Sequence, residues 1–269
     1  MPGPEPPGAA PGTAPGAWAA LQSEAVSIVA EAQQAGVTLR VVGSAGIRLH
    51  CPEPGPAMDK VGRPAKDIDF VVPQRHRKGM RRLLEARGYV IDRDLLIAME
   101  GTRYSFTHAE HGTDIDVFVE RLEFCHTIEV RDRLDRHPVT IALEELLLQK
   151  VQIIQMTTTD VIDTSVLLAT HELGSGAEAI DAGHIARLFA RDWGFHHTAT
   201  ANLRQVRDSA DGPAVAGLGP QASQRIRDRA GQLLAAIDAE PKTLGWRMRD
   251  RVGERKQWWQ DVDDKEATY

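Results

Sequence analysis

Asp67-Ile68-Asp69-Phe70-Val71-Val72 and Asp114-Ile115-Asp116-Val117-Phe118-Val119 are the two stretches whose reading decides the fold. In each, acids alternate with apolar residues on a period of two, which predicts a strand with one face buried and both acids on the other. An isolated Asp-x-Asp is ordinarily a pair of solvent-facing acids. Two of them, behind a glycine-serine turn at Gly43-Ser44, form a concentration of like charge that calls for an external cation. Mg²⁺ prefers hard oxygen ligands and shares its shell with phosphate.

Around these strands the pattern predicts a helix from Trp18 to Ala35, a short strand from Val37 to Val42, and a helix over Ile47 to His50 after the Gly43-Ser44-Ala45-Gly46 turn. Residues 51–66, with four prolines, read as a loop. Arg75 to Arg87 reads as an amphipathic helix, Tyr89 to Ile91 as a short strand, and Thr102 to His108 as the partner of the Asp114 strand in a hairpin. The stretch from Leu95 to Met99 fits strand or helix. Beyond residue 138 six runs carry helical spacing, and Asp160 reads as an N-cap behind three threonines. The expected fold class is therefore α+β: a mixed sheet with flanking helices, followed by a helical domain. The expected divisions are a disordered Pro/Gly tail over 1–16, an α+β domain over 17–138, a helical domain over 139–260, and an acidic tail over 261–269.

With 32 basic and 38 acidic residues the net charge is -6, so no net basic field draws the chain to nucleic acid. Two cysteines, Cys51 and Cys125, exclude a disulfide framework and a cysteine zinc knuckle, and suit a reducing cytoplasm. No run approaches the ~20 apolar residues of a membrane span.

In chain order the chemistry-bearing features are a glycine turn at a helix start, Asp67-x-Asp69, and Asp116 on a later strand. A helix N-terminus offers N–H groups to phosphate. Paired acids hold a metal that bridges those phosphates, and a third carboxylate holds a second ion or accepts the proton of an attacking hydroxyl. Asp116, between apolar neighbours inside its strand, fits that role better than Asp114 at the hairpin end. Arg63, Lys66 and Arg103 can neutralise a triphosphate, or be plain surface charges. The basic group from Arg75 to Arg82 reads as the solvated side of a helix, or else as an RNA patch. Asp163 reads as a partner of Lys150 or of an arginine. His108, Glu110 and His111 sit on a hairpin turn whose spacing does not bring both rings to one face, which speaks against a zinc site there. Trp246, Trp258 and Trp259 read as packing residues of the helical domain, with Trp258-Trp259 alternatively a subunit contact.

The order of these features and their strand context resemble the nucleotidyltransferase superfamily that includes polymerase beta, antibiotic nucleotidyltransferases and AbiEii-type toxins. Its pattern falls on Gly43 and Ser44, on Asp67 and Asp69, and on Asp116. Arg63 to Phe70 and the helical Glu144-Glu145-Leu146 to Lys150 are similar to the toxin-like branch, and the resemblance spans residues 37 to 170. The gap from Ser44 to Asp67 exceeds the family's, so residues 51–66 read as an insertion. The resemblance implies transfer of a nucleoside monophosphate from an NTP, ATP among the candidates, to a hydroxyl of a small-molecule or RNA acceptor, by a monomer or homodimer. It implies Mg²⁺, with Mn²⁺ as the alternative, on Asp67, Asp69 and Asp116, and nucleotide contacts from Gly43, Ser44, Arg63, Lys66 and Lys150. Two other readings stay open: a toxin that modifies tRNA, and a degenerate member that binds nucleotide or protein without turnover.

Overall fold

The computed structural model of the protein describes residues 16–52 and 67–261. The expected insertion with Arg63 and Lys66, the Pro/Gly tail and the acidic tail therefore lie, in all or in most part, outside the described residues.

Five strands form one sheet in the order β1-β2-β5-β4-β3: β1 Arg40–Val42, β2 Asp67–Val72, β3 Tyr89–Ile91, β4 Arg103–His108 and β5 Asp114–Val119. The central pair, β2 and β5, is parallel; β1, β4 and β3 join antiparallel. The period-two reading is kept to the residue. Ile68, Phe70, Val72, Ile115 and Val117 are fully buried on one face, against α1 (Ala17–Gln34) and α3 (Arg77–Ala86). Asp67, Asp69, Asp114 and Asp116 point the other way. Further along that second face, Val71 and Phe118 join a different core, built with the helices that follow the sheet.

Between β1 and β2 comes α2 (Gly43–His50). The helix begins at Gly43 rather than at Ile47, because extended Val42 leads into a left-handed Gly43 (φ 66°) and the chain turns at once into helix. The undecided stretch after β3 is a helix, α4 (Arg93–Ala98), started by Asp92, whose side chain accepts from the N–H groups of Asp94 and Leu95. A second, two-stranded sheet, β6 (Arg121–Glu123) with β7 (Thr127–Glu129), has no counterpart in the sequence reading. Strands of three residues are too short to show alternation.

The six helical runs appear as α5 (Leu143–Val151), α6 (Thr158–Thr170), α7 (Ala182–Phe189), α8 (Trp193–Asp208), α9 (Pro220–Ala239) and α10 (Leu244–Val252). One assignment is corrected. The N-cap of α6 is Thr157, and Asp160 is the third helical residue, returning its carboxylate to the Thr157 N–H at 3.1 Å in a capping box. A threonine run hides this, since any of its members can take the cap. Apolar side chains of α2, the sheet and α5 to α9 share one core, which runs continuously across residue 138. No helix among the described residues is long and apolar enough to cross a membrane.

Candidate active site

The site forms where the second face of the sheet emerges from under α5 and α6. Parallel pairing sets Asp69 directly beside Asp116, with Asp67 one pleat earlier beside Asp114. Asp116 is buried, and its Oδ2 accepts from Arg103 Nη2 at 2.8 Å across β4–β5. Asp114 is exposed and accepts from the Thr107 hydroxyl at 2.7 Å at the hairpin end. Of the two candidates on β5, the inner one thus borders the cleft with Asp67 and Asp69.

Gly43 closes against the same acids. A Cβ at this position would stand 2.5 Å from Asp69 Oδ2, so close approach and positive φ each require glycine. Its N–H donates to Gln149 Oε1 of α5 at 2.9 Å. The Ser44 hydroxyl turns into the helical layer and donates to Asp163 Oδ2 at 2.8 Å. Lys150 Nζ lies 3.0 Å from that oxygen, 3.6 Å from Asp160 Oδ1 and 3.3 Å from Ser44 Oγ. The pairing of Asp163 with Lys150 is therefore present, and the lysine's charge is matched inside the fold. Gly43→Ala is expected to lower the melting temperature by roughly 2–10 °C, from about 1–3 kcal/mol of backbone strain. A melt within 1 °C of wild type would show that the turn relaxes freely.

Asp69 carries the electrostatic signature of the site. Burial, then the Asp67 and Asp116 carboxylates, push its carboxyl up to about 8, against the pull of Lys150 and Arg103. Asp69, buried and flanked by two carboxylates, resists ionising until a further cation joins it. That strain, with an all-oxygen donor set, fits a hard divalent ion; the ligands would be Asp67, Asp69 and Asp116. The cleft in front of them has a volume of about 380 Å³ and is walled by Trp18, Phe118, Phe124, Ile153 and Ile154.

The three acids do not form the tightest metal-competent cluster among the described residues. His50, His137 and Glu178 offer one ligand atom each, all within 4.8 Å of one another. They are far apart in sequence, and no local spacing announces them. The His108 ring is engaged otherwise: Nε2 lies 3.1 Å from Arg87 O, and Nδ1 accepts from the N–H groups of Glu110 and His111.

No family model and no curated protein matches this sequence. Among solved structures, an antigenic nucleotidyltransferase-like protein from Paracoccidioides brasiliensis is similar at 12% identity over 83% of this chain and 94% of that one, with a TM-score of 0.37.

Proposed function

We propose that the protein transfers a nucleoside monophosphate from an NTP to a hydroxyl group of a small molecule. The observation that carries this reading is the side-by-side register of Asp69 and Asp116, with Asp67 on the same face and Gly43 packed against Asp69. The acceptor hydroxyl would give its proton to a carboxylate of the cleft as its oxygen bonds to the α-phosphorus, in line with departing pyrophosphate. Mg²⁺ held by Asp67, Asp69 and Asp116, when bound, would supply positive charge to the entering and leaving oxygens. Arg103 fixes the Asp116 carboxylate, and Lys150 braces Ser44 and the glycine turn from behind through Asp163. Arg63 and Lys66 are proposed as further phosphate contacts from the segment before β2.

A small acceptor is favoured over RNA by the placement of the basic helix. The apolar side of α3 packs on the sheet face opposite the acids, and none of its arginines borders the cleft. The cleft volume lies within the range of small-molecule sites. The test is incubation with α-labelled NTPs and Mg²⁺, beside total RNA in one arm and a mixture of hydroxylated metabolites in the other. Label is expected in the small-molecule fraction. Label on RNA would overturn the choice of acceptor, and label in neither fraction would count against transfer.

A further inference from the structure

The other end of α2 carries the unassigned histidine cluster. Segment 139–141 runs along the free edge of β1, with Val41 N–H donating to Val139 O at 2.9 Å and Ile141 N–H to Val41 O at 3.1 Å. This lays Thr140, fully buried, against His50, the last residue of α2. The Thr140 hydroxyl donates to Ile141 O at 2.8 Å, so its oxygen is an acceptor toward His50 Nε2 at 2.6 Å. An imidazole that donates through Nε2 keeps its lone pair on Nδ1. That Nδ1 stands 3.9 Å from Glu178 Oε2, so two acceptors face one another across a gap wide enough for an ion.

Thr140 also stands beside His137, whose Nδ1 lies 2.9 Å from the same hydroxyl oxygen and accepts from the Val139 and Thr140 N–H groups at 3.3 and 3.0 Å; the His50 and His137 rings stand 4.6 Å apart. His171 holds the third segment in place, with Nδ1 3.1 Å from Glu178 O. Metal-binding histidines are oriented by donating the ring N–H that faces away from the ion, which is the arrangement of His50; His137, whose Nδ1 accepts from backbone N–H groups, would turn its ring to present a lone pair.

We propose that His50, His137 and Glu178 form a second metal site, for a borderline divalent ion of the Zn²⁺ type, separate from the carboxylate cleft. Imidazole nitrogens select such ions, whereas the all-oxygen cleft suits Mg²⁺. Ligands of a four-coordinate zinc stand about 3.4 Å apart, so a cluster whose ligand atoms lie within 4.8 Å of one another must tighten by up to about 1.4 Å. Glu178, with its side chain 73% exposed, is free to supply that movement. Three protein ligands leave the fourth position to water. The ion would tie together three separate segments: the end of α2, residues 137–140, and the loop between α6 and α7. This inference does not depend on the nucleotide reading.

The experiment titrates the metal-stripped full-length protein with Zn²⁺ against a chromophoric chelator, and with Co²⁺ read by its visible spectrum. One equivalent is expected at this site, with the intense Co²⁺ bands of a four-coordinate, nitrogen-containing set and a rise in melting temperature. Glu178→Gln and His137→Ala should each weaken Zn²⁺ binding at least about tenfold and remove those bands. Asp69→Asn, which alters the other site, should keep them. Glu178→Gln changes an exposed side chain and tests the site without threatening the fold. Wild-type protein without a stoichiometric Zn²⁺ site, binding unchanged in both cluster variants, or bands lost in Asp69→Asn alone would each overturn the proposal.

Discussion

Asp69→Asn is expected to abolish nucleotidyl transfer, by on the order of 10³-fold, while making the metal-free protein more stable at alkaline pH. The two effects share one cause. Burial and the neighbouring Asp67 and Asp116 raise Asp69 to about 8, against about 3.9 for an unfolded aspartate. Between those values the folded state keeps a proton that the unfolded chain has released, so wild-type stability declines as pH rises from about 4 to 8. Asparagine removes the charge and with it the decline. Without divalent ions at pH 8.5, the variant should melt about 3–6 °C above wild type, corresponding to roughly 1–2 kcal/mol. Below about pH 3, where both states of the wild type hold the proton, the difference should vanish. A residue of merely structural importance would lose activity and stability together. A variant that retains activity, or that melts below wild type at pH 8.5, contradicts the account.

Arg133→Leu is expected to be the most destabilising of the substitutions considered. Arg133 donates to both Glu144 and Glu145, two almost fully buried carboxylates at the start of α5. Burial, then Glu144, already pushes Glu145 up to about 7 despite the arginine. Removing one partner of a buried ion pair costs about 3–5 kcal/mol, which corresponds to a drop of roughly 6–20 °C in melting temperature for a chain of this length. The loss should shrink on moving from pH 8 to pH 5. Protonation then neutralises a carboxyl whose folded pKa lies above its unfolded value, and the stability lost as pH rises is regained. An equal drop at both pH values would show that the deficit comes from lost packing instead. The active-site side chains are not directly altered, so activity at low temperature should survive in whatever fraction folds.

The carboxylate strands were legible because alternation is a local property. Ile68, Phe70 and Val72 could only be buried together, which forces Asp67 and Asp69 to the opposite face. That Asp69 would stand beside Asp116 required the parallel pairing of β2 with β5, which no residue spacing dictates. The glycine turn was legible as a turn, but the reason for glycine was not: it lies in the approach of Asp69 from another strand. Ser44 was read with Gly43 as a turn facing phosphate; that its hydroxyl is bonded to Asp163, 119 residues along the chain, was not legible. The β6–β7 hairpin has strands too short to show a period, and the His50, His137 and Glu178 cluster depends on tertiary packing alone. The basic helix was identified correctly as amphipathic, but its face on the sheet, which bears on the choice of acceptor, came only from the core that it joins.

The central claim, that Asp67, Asp69 and Asp116 with the Gly43 turn make a metal-dependent nucleotide site, is tested most directly by calorimetric titration of each NTP into the protein with Mg²⁺ or with chelator. The account predicts 1:1 binding of at least one NTP that requires Mg²⁺ and disappears in Asp116→Asn protein shown by its melt to be folded. Binding of equal strength in chelator, or binding retained by that variant, would contradict it.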